Sequence, residues 1–125
     1  TSANTKLVDD IAPVGDHSLP TELTVFDGAL YFRADDASPG PNEELWRTDG
    51  MTAQQVTEIN PGGAAFPSAL TVFGDALYFA ADNGTDGGEL WKSDGTANGT
   101  EMVVEINVLE NNVKGARLRF LTAIE

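Results

Sequence analysis

The strongest constraint on the fold is an internal repeat. Residues 23–35, LTVFDGALYFRAD, recur 47 positions later as residues 70–82, LTVFGDALYFAAD, with ten of the thirteen residues identical. The spacing falls to 45 at the Glu-Leu-Trp segments and returns to 47 at the Glu-Ile-Asn segments that end each copy. These length changes lie between the matched blocks and cancel, as loops on a repeated framework would. Units of roughly 20–50 residues are typical of solenoids and propellers, in which one unit cannot bury its own apolar face.

Each copy has the pattern of four short antiparallel strands. The first two, LTVF and ALYF, are separated by Asp27-Gly28 in one copy and by Gly74-Asp75 in the other, and such pairs favour tight hairpin turns. A polar loop leads to ELWRT or ELWKS, and a further Asp-Gly turn leads to the fourth strand. Apolar residues alternate along the second strand, and no helical periodicity is present. The sequence therefore predicts an all-β fold of β-propeller blades, with a period of about 47 residues.

The two ends of the chain predict partial units. Residues 6–11, KLVDDI, resemble the closing strand of a unit, and residues 121–124, LTAI, resemble an opening strand. The predicted organisation is a disordered N-terminus at 1–5, a closing strand and connection at 6–20, the first unit at 21–60, a connection and the second unit at 61–107, and a connection and opening strand at 108–125. An unpaired strand edge invites pairing with another chain. The predicted assembly strands are carried by Leu7, Val8, Ile11, Leu121, Ala123 and Ile124.

Composition narrows the classes of function. Twenty acidic and seven basic residues give a net charge of −13, which disfavours nucleic acid and anionic membrane surfaces as partners. No apolar run approaches the ~18 residues of a membrane span, so we expect no membrane insertion. There is no cysteine for a disulfide or a thiolate metal site. Neither a signal peptide nor a start methionine is present at Thr1, so we expect a mature or excerpted segment.

Catalysis is not expected. The single histidine, His17, lies in a connection rich in Pro and Gly, and no serine has the sequence context of a nucleophile elbow. Carboxylates that could form a glycosidase pair recur in both copies, which favours a structural role over a unique active site. We therefore expect a protein that is not an enzyme.

The acidic loops before the third strands are candidate cation sites. Residues 82–89, DNGTDGGE, place oxygen donors between glycines, as hard cations such as Ca²⁺ prefer, and residues 35–44 keep acids at both ends. The alternative is that Asp, Asn and Gly only form turns, which is also the role expected of Asp94. The candidate Ca²⁺ ligands are Asp35, Asp36, Glu44, Asp82, Thr85, Asp86 and Glu89.

Aromatic residues recur at matching places in the two copies. Trp46 and Trp91 lie on the third strands, and Tyr31 and Tyr78 lie on the second. One aromatic set per unit would suit a sugar-stacking pocket. The alternative is that the indoles pack between neighbouring units, where large side chains fill the space.

The third and fourth strands carry a family resemblance. The block ELWKSDGTANGTEMVVEI and its weaker twin ELWRTDGMTAQQVTEI resemble the repeat named for its consensus ELWxxDGT. The resemblance covers about residues 20–107, and the first copy departs from it with Met51 in place of the motif's threonine. The family occurs in tandem arrays in exported and cell-surface proteins of bacteria, is taken to form propeller-like blades, and carries no general enzymatic activity.

The resemblance implies an extracellular or cell-surface setting, and the partial units at the two ends of the chain predict a module for structure, assembly or adhesion. Its partners would be other copies of itself or adjacent repeats, which complete the partial units at the chain's ends. The alternative is a multivalent, lectin-like module that binds glycans near the repeated aromatics.

Overall fold

The chain is all-β over the residues that the computed structural model describes, which are 5–13, 16–38 and 42–104. The first sheet contains β1 (Thr21–Phe26), β2 (Ala29–Asp35), β3 (Glu43–Thr48) and β4 (Ala53–Thr57). The second sheet contains β5 (Ser68–Phe73), β6 (Ala76–Asp82), β7 (Gly88–Ser93) and β8 (Glu101–Val104). Each sheet is antiparallel with its four strands in sequence order. The two predicted four-stranded units are confirmed, and both sheets are open.

Helices are absent from the described ranges. Accordingly, nothing in those ranges forms a helix that is long and apolar enough to cross a membrane.

The hairpins confirm the predicted turn chemistry. Between β1 and β2, Asp27 and Gly28 both have positive φ values, of 50° and 79°, as a type I′ turn requires. Between β5 and β6 only the first central residue, Gly74, has a positive φ, of 62°, which is the type II′ pattern. The exchange of Asp-Gly for Gly-Asp between the copies therefore changes the turn type and keeps the hairpin.

The first strand of each sheet begins with the same irregularity. The pairing register shifts between Thr21 and Thr24 in β1, and between Ser68 and Thr71 in β5. Glu22 and Ala69 lie in these bulges with φ values of 63° and 56°. Positive φ is uncommon for residues other than glycine, so its recurrence 47 residues apart shows that the bulge belongs to the repeat unit.

Each sheet has two different faces. Tyr31 lies opposite Arg47, and Phe32 lies opposite Trp46 on the other side of the same sheet. We call these sides the tyrosine face and the phenylalanine face. The corresponding residues of the second sheet are Tyr78 with Lys92, and Phe79 with Trp91.

The sheets pack with unlike faces together. The buried cluster between them is the core of the molecule, and the two sheets approach most extensively where β1 lies beside β5. The tyrosine face of the first sheet contributes Phe26, Tyr31 and Leu45 to this cluster, and the phenylalanine face of the second contributes Leu77, Phe79 and Ala81. The other members are Val56, which lies in β4, and Ile59 and Ala65, which lie in the connection between the sheets. One interface therefore uses one face of each sheet.

The ends of the chain require a correction. Residues 6–11, predicted to be a closing strand, are described and belong to no strand. A strand needs a hydrogen-bonding neighbour, and none of the described strands pairs with this segment. The predicted opening strand at 121–124, with Leu121, Ala123 and Ile124, lies outside the described residues.

Candidate functional site: the faces of the two sheets

A polar contact holds the second copy's Asp-Gly turn against the first sheet. Arg47 Nη1 donates to the hydroxyl oxygen of Tyr31 at 3.3 Å and to the carbonyl oxygen of Gly95 at 3.3 Å. Tyr31 is only 1% exposed. A side chain at Gly95 would meet the Tyr31 hydroxyl directly, and Gly95 also has a φ of 102°. The glycine of the motif is thus required by the neighbouring sheet as well as by its own turn.

The rest of the motif builds that turn. Asp94 Oδ1 accepts from the backbone N–H of Thr96 at 2.9 Å and from its hydroxyl at 2.7 Å. Hydrogen bonds from the side chain and backbone of Thr96 hold the pKa of Asp94 below its ordinary value. Ser93 Oγ accepts from Gly95 N at 2.9 Å, and a side chain at Gly99 would collide with the Asp94 carboxylate. The expected role of Asp94 as a turn acceptor is confirmed.

Alanine substitutions at two equivalent glycines separate the effect of the contact between the sheets from the effect of backbone strain in the turn. Gly95→Ala and Gly50→Ala place a Cβ at matching positions with φ values of 102° and 97°, but only at Gly95 does the Cβ meet Tyr31, since nothing lies within 4 Å at Gly50. We expect Gly50→Ala to lower the free energy of unfolding by ~1 kcal/mol through backbone strain. Gly95→Ala should cost a further ~1–3 kcal/mol through the clash. Urea denaturation in dilute solution, where copies do not associate, would measure both, and equal losses would contradict the contact.

A buried carboxylate fixes the segment that leads from one sheet to the next. Glu44 is fully buried, and its Oε1 and Oε2 accept from the backbone N–H groups of Ile59 at 2.8 Å and Asn60 at 3.1 Å. Burial raises the pKa of Glu44 to about 7; the two hydrogen bonds oppose this shift, and the charges of Glu58 and Asp36 add to it. Glu89, its counterpart in the second sheet, is equally buried.

The same segment joins the sheets through the backbone. Ala65 N donates to the carbonyl oxygen of Glu43 at 2.8 Å, and Asp82 N donates to the carbonyl oxygen of Ala65 at 3.0 Å. Asn60 Nδ2 also donates to the carbonyl oxygen of Ala64 at 2.8 Å. The first sheet, the connection and the second sheet are therefore hydrogen-bonded in series.

The candidate cation loop of the second copy caps its own turns. Asp82 Oδ1 accepts from Gly84 N at 2.7 Å. Asn83 Oδ1 accepts from the backbone N–H groups of Thr85 and Asp86, each at 2.9 Å. These are the hydrogen bonds expected if Asp and Asn only form turns, which was the alternative to Ca²⁺ binding.

The loop of the first copy behaves in the same way. Asp35 Oδ1 accepts from Ala37 N at 2.8 Å, and Asp36 Oδ1 accepts from Ser38 N at 2.9 Å and from Asn42 Nδ2 at 2.7 Å. Partial burial would raise the pKa of Asp36, but the hydrogen bonds from Ser38 and Asn42 together lower it below its ordinary value. Within the described ranges no three His, Cys, Asp or Glu side chains form a group that could hold a metal ion. Ca²⁺ binding stays a prediction.

The repeated aromatics are not equally accessible. Tyr31 belongs to the buried cluster between the sheets, and Trp91 packs against that cluster. Trp46 and Tyr78 are half-buried. Both indole Nε1 atoms are buried without a hydrogen-bond partner among the described residues. The packing interpretation therefore accounts for Tyr31 and Trp91, and binding of glycans stays a prediction.

Several residues were not predicted from the sequence to take part in the junction between the sheets. These are Arg47 and Gly95, which join the turn to the sheet, Asn60, which lies in the connection, and Glu22, whose Oε1 accepts from Ala69 N at 2.9 Å across the junction. The sequence offered a clue to the role of Arg47, because the equivalent residue of the second copy, Lys92, is also a cation and lies opposite the equivalent tyrosine. Glu22 had no such signal, since its counterpart is an alanine.

Comparison of the chain with protein-family models, curated proteins and solved structures found no match. The resemblance to the ELWxxDGT repeat therefore stays an expectation, and the contacts of the two sheets are the evidence that bears on function.

Proposed function

We propose that this chain is a non-enzymatic structural module whose four-stranded units stack through unlike faces, as blades of a propeller-like assembly. The setting would be extracellular or at a bacterial cell surface, as the sequence resemblance implies. Its partners would be further units of the same repeat, supplied by other copies or by adjacent repeats.

One observation supports stacking more than any other. Phe26 and Phe73 occupy the same position of the repeat, on the tyrosine faces of the two sheets, yet Phe26 is 6% exposed and Phe73 is 40% exposed. The second sheet covers Phe26, whereas no described residue covers Phe73 to that extent. The same side chain is thus core in one unit and surface in the other.

The exposed tyrosine face of the second sheet has a suitable partner in the phenylalanine face of another unit. The tyrosine face of the first sheet already binds a phenylalanine face, that of the second sheet. The tyrosine face of the second sheet repeats the same residue types, so another phenylalanine face is the partner that it fits best. Stacking of faces replaces the addition of edge strands as the proposed mechanism, because residues 6–11 form no strand.

The mass of the particle in solution tests this proposal. Light scattering over a range of concentrations should give multiples of 13.2 kDa, either discrete or open-ended. Phe73→Ser should weaken association at least tenfold, because it removes a large apolar side chain from the face. A protein that stays at 13.2 kDa at millimolar concentration would overturn stacking between copies.

Phe66→Ser is the matched control for this variant. Phe66 is 51% exposed even though the junction beside it is complete, so the same change there should leave association unaltered. Repeating the measurement with Ca²⁺ and with EDTA would show at the same time whether the acidic loops contribute a metal ion.

A further inference from the structure

An open apolar cavity of about 250 Å³ lies on the phenylalanine face of the first sheet. Its floor includes Leu30 and Phe32, and its other lining residues are Leu7, Val8, Asp9, Ile11, Ser18, Pro20, Leu23, Thr48 and Ala53. This is the face that the junction between the two sheets leaves unused.

The cavity is an incomplete copy of that junction. Six of its lining residues stand at the repeat positions of residues that pack in the core or against it. They are Val8, Ile11, Ser18, Leu23, Leu30 and Phe32, the counterparts of Val56, Ile59, Ala65, Leu70, Leu77 and Phe79.

The backbone repeats the arrangement as well. Asp35 N donates to the carbonyl oxygen of Ser18 at 2.9 Å, as Asp82 N does to that of Ala65 at 3.0 Å. Leu19 and Phe66, the next residues, both have left-handed φ values, of 48° and 51°. Ser18 and Leu19 therefore already have the backbone arrangement that Ala65 and Phe66 have in the complete junction.

The missing part of the junction can be named by the same correspondence. At the complete junction the tyrosine face contributes Phe26, Tyr31 and Leu45. The second sheet presents the equivalent set on its own tyrosine face, with Phe73 40% exposed and the other two half-buried. This set is Phe73, Tyr78 and Leu90.

We propose that the cavity on the first sheet receives the tyrosine face of the second sheet of another copy of this chain. This inference rests on the proposed function and makes it specific, since it names both surfaces of the contact. The contact is heterologous, so copies join head to tail and form a ring if the rotation closes, or an open chain if it does not.

The polar contact of the junction has its counterpart too. In the docked pair, Tyr78 and Lys92 of one copy take the places of Tyr31 and Arg47, and Gly50 of the other copy takes the place of Gly95. Gly50 is exposed and has a φ of 97°, so its turn has the backbone form that the contact uses. Lys92 also lies 3.7 Å from Glu101 in an exposed ion pair, which leaves it free to turn toward a carbonyl oxygen.

In the unassembled chain, residues 6–11 occupy a position that another copy takes in the proposed pair. These residues lie where the fourth strand of a preceding unit would lie. In the docked pair, β8 of the other copy would occupy the same position. The segment is held by the bond from Ala53 N to Asp9 Oδ2 at 2.8 Å, and its Leu7 is 75% exposed. Docking therefore displaces this segment from the edge of the cavity.

Two blocked variants test the pairing of the surfaces. Leu23→Glu blocks the cavity and Phe73→Glu blocks the tyrosine face, and both sites are exposed enough for folding to tolerate the change, at 59% and 40%. Each variant alone should remain at 13.2 kDa by light scattering, and an equimolar mixture should form a one-to-one pair of twice that mass. Phe66→Glu, at a site that the contact leaves exposed, should assemble like the parent chain.

The outcomes separate this inference from the proposed function. If the parent chain assembles but the mixed variants stay apart, or if either variant assembles alone, the pairing of surfaces is wrong and stacking still stands. If the parent chain is monomeric, because its own residues 105–125 or nothing at all covers the tyrosine face, this inference fails together with stacking between copies.

The proposed displacement of residues 6–11 can be tested separately in the full chain. Asp9→Ala removes the bond that holds the segment, so it should tighten association about fivefold. Asp10→Ala makes the same change of charge at the next residue and should have no effect. Equal or weaker association of Asp9→Ala would show that residues 6–11 are not displaced.

Discussion

Truncation of Phe26 to alanine is expected to lower the free energy of unfolding by about 3–5 kcal/mol, the usual range for a buried phenylalanine. Phe26 is 6% exposed, and its ring lies 5.5 Å from that of Tyr31, with the ring planes inclined at 59°. Removing the ring would leave a void between the sheets and would also remove this aromatic contact.

Phe73→Ala is the internal control, because it makes the same change at the same position of the repeat. Phe73 is 40% exposed, and within the described part of the chain its ring contact is with Tyr78 of its own sheet, at a distance of 5.9 Å. In dilute solution, where the chain is monomeric, we expect a loss of about 1 kcal/mol or less. Denaturant unfolding of both variants measures the difference, and losses of equal size would contradict the assignment of the two faces.

The same pair of variants reports on assembly. If copies associate as proposed, Phe73 becomes part of a junction, so the cost of Phe73→Ala should rise with protein concentration while that of Phe26→Ala should not.

The second large effect is a fall in stability as the pH rises. The folded pKa of Glu44 is about 7, above its ordinary value of 4.5, because burial disfavours the charge. The folded chain therefore binds this proton more tightly than the unfolded chain does. Its contribution to stability is complete below pH 4.5 and is lost as the pH rises through about 7. Between pH 5 and pH 8 the loss should be on the order of 3 kcal/mol.

Glu44→Gln separates this group from the other carboxylates. The amide resembles the acid in shape and does not titrate, but its Nε2 cannot accept from a backbone N–H as both oxygens of Glu44 do. The variant should therefore be less stable than the parent near pH 5 and should lose little further stability by pH 8. Glu58→Gln removes an exposed neighbouring charge and should keep most of the parent's pH dependence, since burial remains the main cause. An equal fall in the parent and in Glu44→Gln, measured by urea denaturation at both pH values, would show that another group is responsible.

The strands and their turns could be predicted because their causes are local. Alternating apolar residues such as Leu77 and Phe79 point to one side of a strand, and Asp27-Gly28 allows the positive φ values of the tight turn. The repeat supplied the remaining evidence, because two copies with the same pattern had to form the same sheet twice.

The junction could not be predicted in the same way. Whether Tyr31 becomes core depends on the sheet that lies against it, and Tyr78, with the same local sequence, has no such cover in the described part of the chain. Glu44 was grouped with possible metal ligands because it follows an acidic loop. Its burial against the backbone of Ile59 and Asn60 depends on how the chain leaves β4, which no local pattern reports.

Because Arg47 of the first sheet donates to the carbonyl oxygen of Gly95 in the second unit, the stability of each unit depends on its neighbour. In arrays of this kind, stability is a sum of terms within units and terms between nearest neighbours. Since the second unit's turn helps to hold a side chain of the first sheet, damage to that turn should loosen β2 and β3 as well as β7 and β8. Amide hydrogen exchange would then show both sheets opening together, so that the repeat, although built in copies, unfolds as one cooperative body.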